Sequence, residues 1–226
     1  MSLKKYHEKR NFQRSPEPSG KVRPGAATSK RTLLYVVQKH RATQLHYDFR
    51  LEFNGVLLSW AVPKGPSPDP SVKRLAMQVE DHPIEYGGFE GVIPEGEYGG
   101  GTVMVWDNGE WLPESEDVEQ ALQKGDLKFT LRGKKLRGSW VLVRTHGYGS
   151  KKGKSWLLIK HRDEYATQED IVLDEPRSIL SRRLLADIAR EEGGDVEKAS
   201  TGDPQGIIKP STKKPKMKVR VKNKSR

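Results

Sequence analysis

The chain has 226 residues, 34% hydrophobic and 31% charged, enough for one domain with a real core plus loose ends. It contains no cysteine, which excludes disulfides, thiol nucleophiles and zinc–thiolate sites. No apolar stretch is long enough to cross a membrane and the start lacks an apolar run, so a soluble protein of a reducing compartment, the cytoplasm, is expected.

The net charge of +11 is unevenly placed: residues 1–31 carry +7 and residues 209–226 carry +9, leaving −5 for the body between them. In chain order, residues 31–37 read as a strand. Leu45–Phe53 follows with strict alternation, then Val56–Val62, a mostly apolar strand. Residues 74–82 again alternate, with Arg74, Ala76, Gln78, Glu80 and His82 in one row and Leu75, Met77 and Val79 in the other. Residues 87–101 hold seven glycines with Glu90, Glu95 and Glu97, a long ordered loop serving as a lid or a connection. Residues 101–106 and 110–111 flank Asp107-Asn108-Gly109, whose Asn-Gly pair predicts a tight hairpin. A helix over 116–124 is expected behind a Ser115 cap, burying Val118, Ala121 and Leu122 and stopping at Gly125. Strands over 127–131, 138–144 and Ser155–Lys160 complete the pattern, and residues 127–162 hold 11 Lys/Arg with no Asp or Glu. A second helix over 178–192 places Leu180, Leu184, Leu185 and Ile188 on one side. The fold class is therefore mainly β, a compact small β-barrel with short flanking helices and disordered basic tails. The expected division is a basic segment 1–31, a barrel 32–175, a C-terminal helix 176–194 and a disordered basic tail 195–226.

Chemistry concentrates in the two alternating strands. In the first, His46, Asp48, Arg50 and Glu52 share one face while Leu45, Tyr47, Phe49, Leu51 and Phe53 share the other. If this face and the 74–82 row meet one cleft, with His40 just upstream and Lys64 in a turn, they assemble histidines, carboxylates and cations fit for a metal and an anion. A solvated polar face is the plain alternative. A non-haem iron oxygenase using His46, Asp48 and His82 is a second, and a non-catalytic nucleic-acid-binding module a third. The basic ends suit a polyanion partner. Of the five tryptophans, any that stacked on an unpaired nucleobase would have to be exposed beside the cleft.

Residues 40–52 (HRATQLHYDFRLE), 60–65 (WAVPKG), 79–86 (VEDHPIEY), 91–99 (GVIPEGEYG) and 156–165 (WLLIKHRDEY) closely resemble the 3′-phosphoesterase module of bacterial DNA ligase D. The resemblance runs from about Tyr6 to Tyr165, and with no Lys-x-Asp-Gly ligase motif the chain looks like a free-standing version. It implies a manganese-dependent enzyme, tolerant of other divalent metals, that heals DNA 3′ ends for end joining. Such modules remove a 3′-terminal ribonucleoside and then the 3′-phosphate, leaving a 3′-hydroxyl. The implied partners are DNA with 3′-ribonucleotide or 3′-phosphate ends in a primer–template, a separate DNA ligase and polymerase, and no membrane. Carried over by position, His40, His46 and Asp48 would hold the metal, and Arg50, Lys64, Arg74 and His82 would engage the phosphate. Gln38, Glu80 and Tyr86 would complete the pocket, with Arg10 and Glu17 supplied by the N-terminal segment. Asn11 stands where the family pattern has an Asp. His82 fits either a general acid or a donor that only orients phosphate.

Overall fold

The computed structural model describes residues 2–20, 32–145 and 153–206. Nine antiparallel strands make one sheet: β1 (Leu33–Arg41), β2 (Leu45–Phe53), β3 (Val56–Val62), β4 (Lys73–Gln78), β5 (Gly91–Ile93), β6 (Gly101–Pro113), β7 (Asp126–Gly133), β8 (Arg137–Arg144) and β9 (Ser155–Lys160). The spatial order is β1-β2-β3-β4-β9-β8-β7-β6, and β6 pairs back onto β1, closing an eight-stranded barrel with β5 as a short flap on β6. Closure removes the free edges that an open sheet would have to protect.

Alternation decides what fills the barrel. Tyr35 and Val37 of β1, Tyr47, Phe49 and Leu51 of β2 and Trp60 of β3 point inward, joined by Trp106, Trp111, Trp140 and Trp156. All five indoles are buried, so the interior is packed core and none of them is a stacking surface. A smaller apolar cluster lies on the outer face: Val36, Leu57 and Val105 from the barrel meet Tyr6, Tyr86 and Ile179. Tyr6 belongs to α1 (Lys4–Glu8), so the N-terminal segment docks on the outside of the sheet.

The sequence contains Asn-Gly twice, and only one pair makes a turn. Asn54 and Gly55 adopt φ 49° and 78° between β2 and β3, the left-handed pair a two-residue hairpin needs. Asn108-Gly109 instead lies inside the continuous strand β6, contrary to the expected hairpin. Two contacts keep it extended. Asp107 is buried and accepts from Tyr35 Oη and from the Lys135 and Leu136 amides, and the β7 backbone approaches Gly109 so closely that a Cβ there would meet the Arg132 carbonyl at 2.2 Å.

Strand β4 also departs from expectation. Ala76 is fully buried and Leu75 is 45% exposed, so the inward row is Arg74, Ala76 and Gln78, and the strand stops at Gln78. Glu80 and His82 reach the outer face because the chain turns back onto β3, where His82 exchanges both backbone hydrogen bonds with Leu57, at 2.8 and 2.9 Å.

Helix α2 (Val118–Lys124) is capped by Asp117, which accepts from Gln120 N at 2.8 Å, rather than by Ser115, and ends at left-handed Gly125. The short α3 (Ile171–Asp174) follows β9. The expected 178–192 helix is shorter: Ser178 Oγ caps a turn by accepting from the Leu180 and Ser181 amides, Leu180 is exposed, and only α4 (Leu185–Glu192) is helical. Residues 195–206, read as the start of a disordered tail, are instead built into the body. Helix α5 (Val196–Ser200) packs there, and the buried Asp203 accepts from the Leu185 and Ala186 amides at the start of α4. The basic tail 209–226, and His146 with most of its loop, lie outside the described residues.

Candidate functional site

On the outer face His40 of β1 stands opposite His46 of β2, and Gln38 stands opposite Asp48. His40 Nδ1 and His46 Nε2 each lie 3.6 Å from Asp48 Oδ2. These three are a group whose donor atoms all fall within 4.8 Å of one another. The other ring nitrogens are fixed from outside: His40 Nε2 donates to Gly99 O at 2.8 Å and His46 Nδ1 donates to Gln44 O at 3.0 Å. Both tautomers therefore turn a lone pair towards Asp48, as backbone-oriented metal-ligating histidines do. Two neutral imidazoles and a carboxylate suit a divalent ion of the manganese or zinc kind. The 87–101 loop, through Gly99, is thus part of the site.

Arg50 joins this donor set to the rest of the row. Its Nη2 lies 3.2 Å from Asp48 Oδ2, its Nε donates to Gln38 Oε1 at 2.8 Å and its Nη1 donates to Ser59 Oγ at 2.8 Å. Gln38 is itself fixed by donating to the Tyr86 and Phe89 carbonyls, so Arg50 is held on two sides. Burial pushes the Asp48 carboxyl up, but Arg50 and both imidazoles overcome this and hold it well below its usual range. For His46, burial pushes the pKa down and the Asp48 bond reverses that, leaving it raised.

His82 sits between two cations. Its Nδ1 lies 2.9 Å from Arg50 Nη1 and its Nε2 3.1 Å from Arg10 Nη2, and both flanking Tyr6 and Tyr86 rings present edge contacts. Nδ1 is also 2.9 Å from Glu80 O. A neutral ring with its proton on Nδ1 donates to that carbonyl and accepts from Arg10 through Nε2, while Arg50 Nη1 keeps Ser59. Burial first, then Arg50 and Arg10, depress the His82 pKa well below its ordinary value.

The N-terminal segment roofs the site. Arg10 Nε pairs with buried Glu17 at 2.9 Å, Arg10 Nη1 with Glu80 at 3.3 Å, and its guanidinium lies 3.9 Å from the Tyr6 ring centre. Lys9 bonds Glu80 at 3.0 Å and Tyr98 Oη at 2.9 Å. Burial pushes Glu80 up, yet Lys9 and Arg10 hold it below its usual pKa. Asn11 is exposed, and its side chain accepts from the Gln13 amide, closing a turn rather than facing the cluster.

The structure therefore brings together Arg10, Glu17, Gln38, His40, His46, Asp48, Arg50, Glu80, His82 and Tyr86. Lys64 is exposed in the turn after β3, and Arg74 shares the inward row of β4 with Ala76; among the described residues neither side chain makes a hydrogen bond or ion pair. Sequence reasoning missed Tyr6, Lys9, Ser59, Tyr98 and Gly99, which act through chain reversals and backbone groups that carry no motif. The His46/Asp48/His82 ligand set of an iron oxygenase is not assembled, because the nitrogens of His82 face guanidiniums and His40 takes the third place.

The pKa of His82 has a measurable consequence. The ring is neutral when folded but protonates below about pH 6.5 when unfolded, so the unfolded state binds more protons and stability falls as pH drops below that value. His46, raised in the fold, contributes oppositely: its stabilisation is full below about 6.5 and is lost as pH rises through its folded pKa. Urea unfolding of metal-free protein at pH 7.5 and 5.5 should show a smaller acid loss in His82→Gln than in the wild type. The difference is bounded by about 1.4 kcal/mol per pH unit.

The fold and site define a filled eight-stranded β-barrel domain whose outer face carries a His-His-Asp group that could hold a metal ion, tied to buried guanidiniums. Residues 38–144 match the DNA ligase D 3′-phosphoesterase domain, and the chain belongs to that family. It is 52% identical over 186 residues to the multifunctional non-homologous end joining protein LigD of Pseudomonas aeruginosa, covering 81% of this chain and 22% of that protein. LigD of Mycobacterium tuberculosis strain H37Rv is 41% identical over 145 residues, 64% of this chain and 18% of the relative. LigD of Mycolicibacterium smegmatis is 40% identical over 167 residues, 72% and 21% respectively. The chain thus spans about a fifth of the length of these relatives.

Proposed function

We propose that this protein is a divalent-metal-dependent phosphoesterase of DNA 3′ ends, removing a 3′-terminal ribonucleoside and then the 3′-phosphate to leave a hydroxyl for end joining. The observation that carries this reading is the shared carboxylate Asp48, whose Oδ2 faces two imidazole lone pairs and the Arg50 guanidinium at once. A scissile phosphate seated against Arg50 lies beside the metal-holding residues. Non-homologous end joining, named in the LigD relatives, supplies the context in which 3′ ends need such treatment.

His40, His46 and Asp48 would hold the metal, manganese being the expected ion. The ion supplies charge neutralisation at the phosphoryl oxygens and a water of lowered pKa. Arg50, prepositioned by Gln38 and Ser59, grips non-bridging oxygens with its remaining N–H groups. Arg10, locked to Glu17 and Glu80, presents a second guanidinium from the roof. Lys64, exposed and with no side-chain partner among the described residues, adds to the charge compensation when the anionic terminus enters, whereas Arg74, on the inward row of β4, does not face the outer cluster. His82 Nε2 carries the lone pair in the resting site. An incoming phosphate dianion offsets the two flanking cations, raises the His82 pKa and lets the ring take up the proton that it passes to the leaving oxygen. Tyr86 walls the pocket, with its ring centre 5.0 Å from the Arg50 guanidinium.

The test is phosphate release from a primer–template with a 3′-phosphate, and stepwise shortening of one with a 3′-ribonucleotide, with manganese, cobalt or magnesium. Release of inorganic phosphate with any of these ions is expected. No release, together with oxygen uptake in the presence of iron and a 2-oxoacid, would replace this reading by the oxygenase one.

A further inference from the structure

We infer that Tyr98 is the platform on which the terminal nucleobase of the substrate strand stacks, making it a specificity-determining residue. This inference rests on the 3′-end reading above. A site that works on the last nucleotide of a strand must hold that nucleotide's base as well as its phosphate, and bases are held without sequence preference by aromatic faces.

Among the described residues, the other aromatics around the cluster are unavailable. Tyr6 and Tyr86 are buried against His82, Phe12 and Phe89 are partly buried in the outer apolar cluster, and the tryptophans fill the barrel. Tyr98 is 48% exposed, and among the described residues it is the exposed large aromatic that adjoins the site. Its ring centre is 5.6 Å from the Arg10 guanidinium, which itself touches His82, and the next residue supplies the carbonyl that orients His40. Tyr98 therefore sits where the metal-holding and cationic halves of the cleft meet.

The ring is also held in place. The 94–100 turn is closed by Glu97 N to Pro94 O at 3.2 Å and Gly100 N to Glu97 O at 3.0 Å, with φ of 86° at Gly96 and 80° at Gly99. Lys9 lies 4.3 Å over the ring and bonds its hydroxyl, while Arg14 pairs with the neighbouring Glu97 at 3.1 Å. A ring fixed in advance loses little rotamer entropy when a base lands on it.

The experiment uses the full chain with manganese and a primer–template whose 3′-phosphorylated terminal residue is 2-aminopurine, whose fluorescence is quenched by stacking. Quenching is expected with wild type, Tyr98→Phe and Tyr98→Trp, and not with Tyr98→Ala. In turnover, Tyr98→Ala should raise KM about 5- to 150-fold on a base-bearing terminus, with the loss falling on KM more than kcat. On a terminus lacking its base, wild type and Tyr98→Ala should converge. Tyr98→Phe removes the bond to Lys9 but keeps the ring, so it separates stacking from latching. Loss in Tyr98→Phe equal to that in Tyr98→Ala, or no discrimination between base-bearing and abasic termini in the wild type, overturns the inference. Quenching without hydrolysis would instead sink the phosphoesterase reading and leave Tyr98 as a base-binding residue.

Discussion

Asp48→Asn should reduce phosphate release from a 3′-phosphate primer–template by at least about 1,000-fold, because metal-assisted phosphoryl chemistry stands to lose several kcal/mol. The substitution keeps shape and removes charge. Its Oδ2 is the one atom in contact distance of His40, His46 and Arg50 together, so neutralising it weakens metal retention and unbalances the guanidinium at once. Calorimetric titration with manganese should show affinity lost in step with activity, while binding of duplex DNA persists. Circular dichroism guards against unfolding, since Asp48 is buried and the cations around it lose their counter-charge. Activity within tenfold of wild type, in a folded variant, would mean that the metal is held elsewhere or is not needed.

Lys39→Met should cost about 3–5 kcal/mol of folding stability, the usual result of stripping one partner from a buried ion pair. Lys39 lies on the inward row of β1, its Nζ 3.7 Å from Asp203 Oδ1 and both side chains almost wholly excluded from solvent. Burial lowers the Lys39 pKa and raises that of Asp203, so for each group desolvation outweighs the attraction of the pair. The pair therefore adds little by itself, yet breaking it leaves a lone buried carboxylate. The double variant with Asp203→Asn should recover several kcal/mol, less the weakened caps on α4. The single variant carries a pH signature as well. A carboxyl raised further in the fold favours the folded state at low pH and loses that contribution as pH rises from about 4, so Lys39→Met should gain stability on mild acidification. Urea titrations of the four proteins at pH 7.5 and 5.5 give the cycle; additive losses would refute the coupling.

How far the residues alone disclosed this molecule varies from element to element. His46, Asp48 and Arg50 were legible because alternation in β2 leaves no other way to bury Tyr47, Phe49 and Leu51. The β4 row was misread, since Ala76 and Leu75 are both acceptable to either side and only the Trp60–Gln78 register decides between them. Glu80 and His82 consequently reach the cleft by a reversal onto Leu57 and not by strand periodicity. The two Asn-Gly pairs are identical locally, and what separates them is a buried Asp107 and the close approach of β7 at Gly109, both set by distant chain. Asp203 resembles any tail residue until Lys39 is seen inside the barrel. The N-terminal contribution of Arg10 and Glu17 came through family resemblance alone, because seventy residues separate Arg10 from its partners Glu80 and His82.

The backbone amide of Ser2 donates to Asp81 Oδ2 at 3.1 Å, one residue from His82. Any polypeptide fused ahead of Ser2 would thus emerge at the lip of the cleft. If the 3′-end reading proposed above holds, an affinity handle placed there would compete with the incoming strand and should be removed before assay.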